Sequence, residues 1–320
     1  MLRFIIRRLL QGILTLWLVS TTVFVMGYLI PNDPARAIAG EKASLAQVER
    51  VHKALGLDRP LIVQYGDYMG RLVKLDLGKS YLNGGTGVFT LIKSSLPTTV
   101  YLVFGAGILW LSFGILSGVL SAVRARTWVD KAVTSFVLIG LSVPPAVFAL
   151  LLSYVMFYQL WTHGVHLFVI GPAPTPSTDF TGFLQHMALP WVALAFFLVA
   201  TYTRLTRGSL LEVFGEDYMR TAKSKGLSDR RIIYRHGLRA ALTPVITQFG
   251  VDIGALIGGT LVTESVFGLN GFGRMAINAL QTGDVPTVIG AALFVAMFVV
   301  VANLIVDVLY AFLDPRIRLA

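Results

Sequence analysis

Residues 212–244 read EVFGEDYMRTAKSKGLSDRRIIYRHGLRAALTP, a polar and basic stretch set between two apolar runs. Counted from the end of the preceding run, the connection holds nine cations: Arg204, Arg207, Arg220, Lys223, Lys225, Arg230, Arg231, Arg235 and Arg239. Gly226 divides it into two helix-compatible pieces. In the first, Tyr218, Ala222 and Lys225 recur at helical spacing; in the second, Ile232 and Ile233 alternate apolar anchoring with Arg235, His236 and Arg239. Ser228 stands where it can cap the second piece, and Asp229 suits its first turn. Pro244 predicts a break before the next apolar run. The spacing describes a short helix–turn–helix able to dock on a soluble protein and pass its movement to a helical bundle. Nine cations could also attract anionic lipid. Nucleic acid is a poor fit, because no base-reading module accompanies the charge.

What surrounds this stretch is apolar. The 320 residues are 55% hydrophobic and 14% charged, with a mean hydropathy of +0.71, a balance that argues against a soluble globular domain. Apolar runs fall at about Leu9–Ile30, Thr99–Val123, Thr134–Leu160, Leu184–Thr203, Thr243–Leu261 and Val288–Phe312. The first, 22 residues long, would cross a hydrocarbon layer of roughly 30 Å. The fifth is the weakest, since Asp252 sits inside it. Absent cysteines remove disulfides and thiolate chemistry.

Charge orients these runs. Arg3, Arg7 and Arg8 precede the first; Arg124, Arg126 and Lys131 separate the second from the third; Arg316 and Arg318 follow the sixth. The short connections 161–183 and 265–287 carry only Arg274. Basic short loops favour the cytoplasmic side, so six transmembrane helices with both termini cytoplasmic are expected in an all-α polytopic membrane protein. Arg7–Arg8 before an apolar run also resembles the start of a signal peptide, but no small-residue cleavage pattern follows.

The expected division is 1–30 for an interfacial segment and first span, and 31–98 for an extracytoplasmic segment. A transmembrane core then covers 99–312, with its cytoplasmic loop at 204–243, and a cytoplasmic tail occupies 313–320. Within the external part, Ser44 and Gln47 have capping-box spacing, and Pro60 can open a second helix. Gly84, Gly85 and Gly87 mark a loop. The segment could cover the external mouth or pack on the membrane surface without touching substrate.

Several chemistries are missing. No Gly-x-x-x-x-Gly-Lys-Ser/Thr run cradles phosphate, and neither His-Glu-x-x-His nor a Gly-x-Ser-x-Gly elbow occurs. His163 and His166 lack a local carboxylate pair to complete a metal site. The embedded polar residues remain open to three readings. Asp252 lies near the middle of the fifth run and Glu264 near its external end, while Asn303 and Asp307 share one face of the sixth. A proton relay, pore or gate electrostatics, and helix packing all fit a charge that cannot face lipid. Pro144–Pro145 should kink or break the third run, either as a gate or as fixed geometry.

At the level of motifs, the chain resembles the permease subunits of bacterial binding-protein-dependent ABC importers of the dipeptide/oligopeptide/nickel branch. The stretch Asp217-Tyr218-Met219-Arg220-Thr221-Ala222-Lys223-Ser224-Lys225-Gly226 is similar to that family's coupling loop, with Arg220 replacing the leading Glu of the broader Glu-Ala-Ala…Gly pattern. Arg235-His236, Arg239 and Pro244 fit downstream. Ile6-Arg7-Arg8-Leu9-Leu10 and Asn32-Asp33-Pro34-Ala35 resemble the first, B-type permease of the peptide-import pair, and Leu55-Gly56-Leu57-Asp58-Arg59-Pro60 followed by Gln64-Tyr65 resembles that branch's external segment. Ser142-Val143-Pro144-Pro145, Glu264-Ser265-Val266-Phe267, Gly271-Phe272-Gly273, Asp307-Val308-Leu309-Tyr310 and Leu313-Asp314-Pro315-Arg316 extend the agreement.

The resemblance implies a type I importer fold in the bacterial inner membrane. Its implied partners are a second homologous permease, two cytoplasmic ABC ATPases and an extracytoplasmic substrate-binding protein or lipoprotein, besides membrane lipid. ATP and Mg would be bound by the ATPases, with no cofactor on this chain and no enzymatic activity of its own. The ATPase-contacting residues implied are Asp217, Tyr218, Arg220, Thr221, Ala222, Lys223, Lys225 and Gly226. Ser228, Arg231, Arg235, His236, Arg239 and Pro244 would buttress them. Dipeptides or short oligopeptides are the implied cargo, with nickel the alternative; an ion-coupled secondary transporter would instead use the embedded acids.

Overall fold

The computed structural model describes residues 2–29, 44–54, 58–82 and 84–313. Asn32–Ala35, Leu55–Leu57 and the tail after Leu313 lie outside these described residues. Among the described residues every regular element is helical apart from one antiparallel bridge, Lys79 to Gly87. Two compact units are present, Met1–Pro97 with Gly271–Ala320, and Thr98–Asn270.

The first unit is built on α1 (Leu2–Leu29) and α12 (Val285–Leu313). They run antiparallel, Gly12 lying against Val300 and Gly27 against Ile289. A Cβ on either glycine would come within about 3 Å of a neighbouring side chain, as small-residue packing between membrane helices requires. Two short helices accompany them, α2 (Leu45–Ala54) and α3 (Leu61–Val73). The expected capping box opens α2: Ser44 N–H donates to Gln47 Oε1 at 2.9 Å and Gln47 N–H to Ser44 Oγ at 3.4 Å. Pro60 sits immediately before α3. Tyr65 and Tyr68 of α3 pack on the Phe24 ring, and Tyr65 Oη is 2.8 Å from Thr21 Oγ1. Glycines 78, 84 and 85 adopt positive φ in the loop before α4 (Val88–Val123). That loop is tied to the start of α12 by buried Asp284, which accepts from Ser80 Oγ (2.5 Å), Tyr81 N–H (3.0 Å) and Thr287 Oγ1 (2.7 Å). α11 (Phe272–Thr282) closes this unit's core, where Phe272 meets Val88, Ile92 and Ala291.

The second unit holds the rest of α4 with α5 (Trp128–Ser142), α6 (Pro145–Leu152), α7 (Phe180–Phe214), α8 (Asp217–Ser224), α9 (Leu238–Gly259) and α10 (Leu261–Val266). α4 and α7 are 36 and 35 residues long, so at about 1.5 Å per residue each outreaches the hydrocarbon layer. Gly114 and Gly118 of α4 bring the pair together: a Cβ at each would lie 2.6 Å from the Cβ of Tyr202 and Thr206 respectively. Gly140 does the same for α5 against Ala200. Trp110, Tyr202 and Val245 fill the centre.

Two expectations need correction, the start of the second run and the break at Pro244, while the third run divides at its double proline as expected. The second run begins its helix at Val88, well before Thr99, and continues through Pro97; polar Lys93, Ser94 and Ser95 hide this start from a hydropathy reading. The third run is two helices, α5 stopping at Ser142 and α6 starting at Pro145 across extended Val143 and Pro144. α6 then widens into a π-helical Ser153–Gln159 before Leu160–Thr162. Pro244 does not interrupt its helix. It lies inside α9, where the single donor it removes is offset by its buried neighbours Ala241 and Val245.

Among the described residues, five helical segments are long and apolar enough to cross a membrane: Ile6–Gly27, Val88–Val123, Pro145–Thr162, Phe180–Phe214 and Val285–Ile305. The expected fifth crossing, α9, is 22 residues long but carries Arg239 and Asp252 and is not among the five.

Candidate functional site

The basic stretch folds as α8, a glycine turn, and a second helical arm. α7 ends at Phe214, and Glu216 takes an extended conformation (φ −70°, ψ 145°) that lets Asp217 start α8. Asp217 in the first turn and Lys223 in the last both complement the helix dipole. Met219 and Ala222, three apart, point inward onto Ile232, with Val213, Phe214 and Leu227 around them. Gly237 makes the close approach possible, since a Cβ there would meet Phe214, Met219 and Leu210 at 3.1–3.3 Å.

The other side of α8 is exposed: Asp217, Tyr218, Arg220, Thr221, Lys223 and, beyond the helix, Lys225 and Gly226. Gly226 has φ +74°, the left-handed region that ends a helix, and its N–H donates to the Lys223 carbonyl at 3.0 Å. Arg220 reaches Asp217 at 3.5 Å with both side chains open to solvent, an ion pair of little energetic weight. Ser228 occupies the cap position of the second arm, but its side chain makes no capping bond. The arm begins with Asp229–Arg231 and passes through a π-helical Ile232–Gly237 into α9. Arg231, Arg235 and Arg239 are exposed, and His236 is half-buried.

Tyr218, Arg235, His236, Arg239 and Ala240 line an open cleft of about 520 Å³. Partial burial, and then the charge of Glu216, push the Tyr218 phenol up from its ordinary range, so it stays a neutral donor. Of the predicted coupling residues, Ala222 points inward beside Met219, and the others are exposed. Sequence spacing alone did not say that Ala222 faces inward.

A cluster that sequence reading missed lies in the same unit. Asp130, at the start of α5, is buried; its Oδ1 accepts from Ser121 Oγ (2.5 Å) and Arg207 Nε (2.8 Å). Its Oδ2 accepts from Arg207 Nη2 (3.0 Å) and Arg126 N–H (2.8 Å). The bidentate Arg207 guanidinium, followed by the Ser121 hydroxyl and the Arg126 amide, holds the Asp130 carboxyl well below the usual carboxylate range. Ends of α4, α5 and α7 are thereby tied together. In the sequence Arg207 reads only as one of nine cations in the connection; the acid Asp130 set among Arg124, Arg126 and Lys131 was the available signal.

The embedded residues fall into different settings. Asp252 is half-buried and accepts from Tyr202 Oη and Gln248 Nε2, each at 2.8 Å. Glu264 is fully buried and accepts from Thr99 Oγ1 (2.6 Å) and Thr260 Oγ1 (2.8 Å). Pro144 and Pro145 form the junction between α5 and α6. Asn303 is exposed on α12, and the Asp307 side chain lies outside the described residues. Among the described residues no group of three potential ligands assembles a metal site.

Residues 114–319 match the model of the binding-protein-dependent transport system inner membrane component, and residues 1–103 match the N-terminal part of such components. The chain is 37% identical to a putative peptide transport system permease protein of Brucella abortus (strain 2308), over 98% of both chains. It is equally similar, at 37% and the same coverage, to one of Brucella melitensis biotype 1. Against the glutathione transport system permease protein GsiC of Escherichia coli (strain K12), identity is 36% over 99% of each.

Proposed function

The chain belongs to the family of binding-protein-dependent transport system inner membrane components, and from that premise we propose that it is a permease importing dipeptides or short oligopeptides. It is a multi-pass membrane protein and a transport subunit, related along its whole length to peptide and glutathione importer permeases. In the proposed assembly it pairs with a second homologous permease, each supplying half of the path. Two cytoplasmic ATPases bind ATP and Mg, and an external binding protein delivers cargo. The B-type position in the permease pair rests on the N-terminal motifs Ile6–Leu10 and Asn32–Ala35.

The observation that carries the coupling role is the two-sidedness of α8. Met219 and Ala222 seat it on Ile232, so a push on its outer face is passed to the Ile232–Gly237 arm and α9. Arg220, Lys223 and Lys225 on the outer side can steer an acidic partner surface. A six-span topology of the type I importer fold, with both termini cytoplasmic, follows if α9 crosses. At 22 residues, about 33 Å, it has the length, and Asp252 is turned to protein donors on α7 and α9.

Reconstitution with the partner permease, the ATPases and the binding protein tests this reading. ATP-dependent uptake of dipeptides and short oligopeptides is the expected result. Uptake of nickel in preference to peptide, or peptide uptake driven by an ion gradient without ATPases, would overturn it.

A further inference from the structure

Asp252 lies within α9, the crossing proposed above, and among the described residues its side chain is held by neutral groups. Tyr202 Oη, from fully buried Tyr202 on α7, approaches one oxygen, and Gln248 Nε2, one turn earlier on α9, approaches the other. Among the described residues it has no Lys, Arg or His within ion-pair distance. These donors fix its orientation without neutralising its charge. A carboxylate offers about four acceptor positions, and two are used here. The side chain is also not sealed in: Asp252 is half-buried, and Val251 beside it is exposed. Buried Trp110 packs beside Tyr202, their ring centroids 6.3 Å apart.

An intramembrane acid is tolerated where it pairs with a cation or lines a watered path. No resident cation is present at this one. We propose that Asp252 is the counter-charge for the α-ammonium group of a peptide passing through the importer; the inference rests on the peptide reading above. A primary ammonium carries three donors and a full charge at neutral pH, matching the unused acceptor positions on the carboxylate. A divalent metal fits worse, because it requires several oxygen or nitrogen ligands in a defined geometry and, among the described residues, no group of three His, Cys, Asp or Glu side chains gathers here. Tyr202 and Gln248 are positioning residues: one from α7 and one a turn earlier on α9, they fix where the two carboxylate oxygens lie.

The test uses the complete importer in proteoliposomes, supplied with peptide-loaded binding protein. Asp252→Asn should lower uptake of an amino-terminally free dipeptide, and peptide carried per ATP, about tenfold, the scale of one charge-assisted hydrogen bond. Asp252→Glu should restore most of it. A des-amino analogue that the binding protein accepts should be carried equally by wild type and Asp252→Asn. Wild-type uptake by Asp252→Asn overturns the inference, as does an equal loss for both cargoes. Loss of the second permease from the purified Asp252→Asn complex also overturns it, because Asp252 would then pair with a cation of that subunit. If the wild-type complex carries no peptide at all, the importer reading itself falls first.

Discussion

Replacing Asp130 by Asn removes one charge from the cluster that joins α4, α5 and α7 and leaves its shape nearly unchanged. The Asp130 side chain is 8% exposed and Arg207 33% exposed, so the pair is neither a surface bridge nor fully desolvated. Breaking a buried pair costs about 3–5 kcal/mol, whereas exposed pairs contribute about 0–1 kcal/mol. The partial exposure of Arg207 places Asp130→Asn near 2 kcal/mol, an order-of-magnitude figure between those limits. Thermal unfolding of the purified protein in detergent should then show Tm lower by about 3 °C at pH 7. Because folding depresses the Asp130 carboxyl, its contribution is present above the ordinary carboxylate pKa of about 3.9 and is lost as pH falls towards the lower folded value. The Tm gap between wild type and Asp130→Asn should hold from pH 8 to pH 5 and narrow only below about pH 4. Arg207→Lys keeps the charge but not the fork, and should fall between the two. A gap under about 1 °C at pH 7, or one that persists undiminished at pH 3, would refute the reasoning.

Ala222→Asp forces a charge into the seat shared with Met219 and Ile232; ATP-dependent uptake should drop at least about tenfold while the protein still inserts in the membrane, measured in vesicles. Gly226→Ala must hold φ +74°, costing about 1 kcal/mol, and should lower coupling efficiency more than global Tm, since the turn is exposed. Gly118→Val would place its side chain on Thr206 and push α4 from α7, with a destabilisation of about 1–3 kcal/mol visible in detergent melts; an unchanged melt would argue against the close packing.

The membrane character of the chain and most of its long helices were legible because lipid acts as a solvent that demands uninterrupted apolar runs. Ser44 and Gln47 were readable for a local reason, the capping box needing nothing beyond four residues. The turn at Gly226 was readable on the same grounds. Hydropathy lost the start of α4, since a helix that continues past the lipid no longer needs apolar residues: Lys93, Ser94 and Ser95 are helical all the same. Pro244 misled because a single missing donor was weighed without the packing of Ala241 and Val245. The Asp130–Arg207 cluster joins residues 77 apart, a separation at which no spacing rule operates. The direction of Ala222 was hidden too: helical periodicity groups residues on a face but does not say what covers it.

The double proline between α5 and α6 carries a mechanical consequence. Neither Pro144 nor Pro145 has an amide hydrogen, and no backbone hydrogen bond among the described residues runs from residue 146 or beyond to residue 143 or before. Swinging α6 against α5 thus ruptures no backbone bond, and straightening the elbow could form none at either proline. The angle between α5 and α6 is therefore set by side-chain packing, Phe136 of the one and Phe148 of the other both lying against the Phe196 ring of α7.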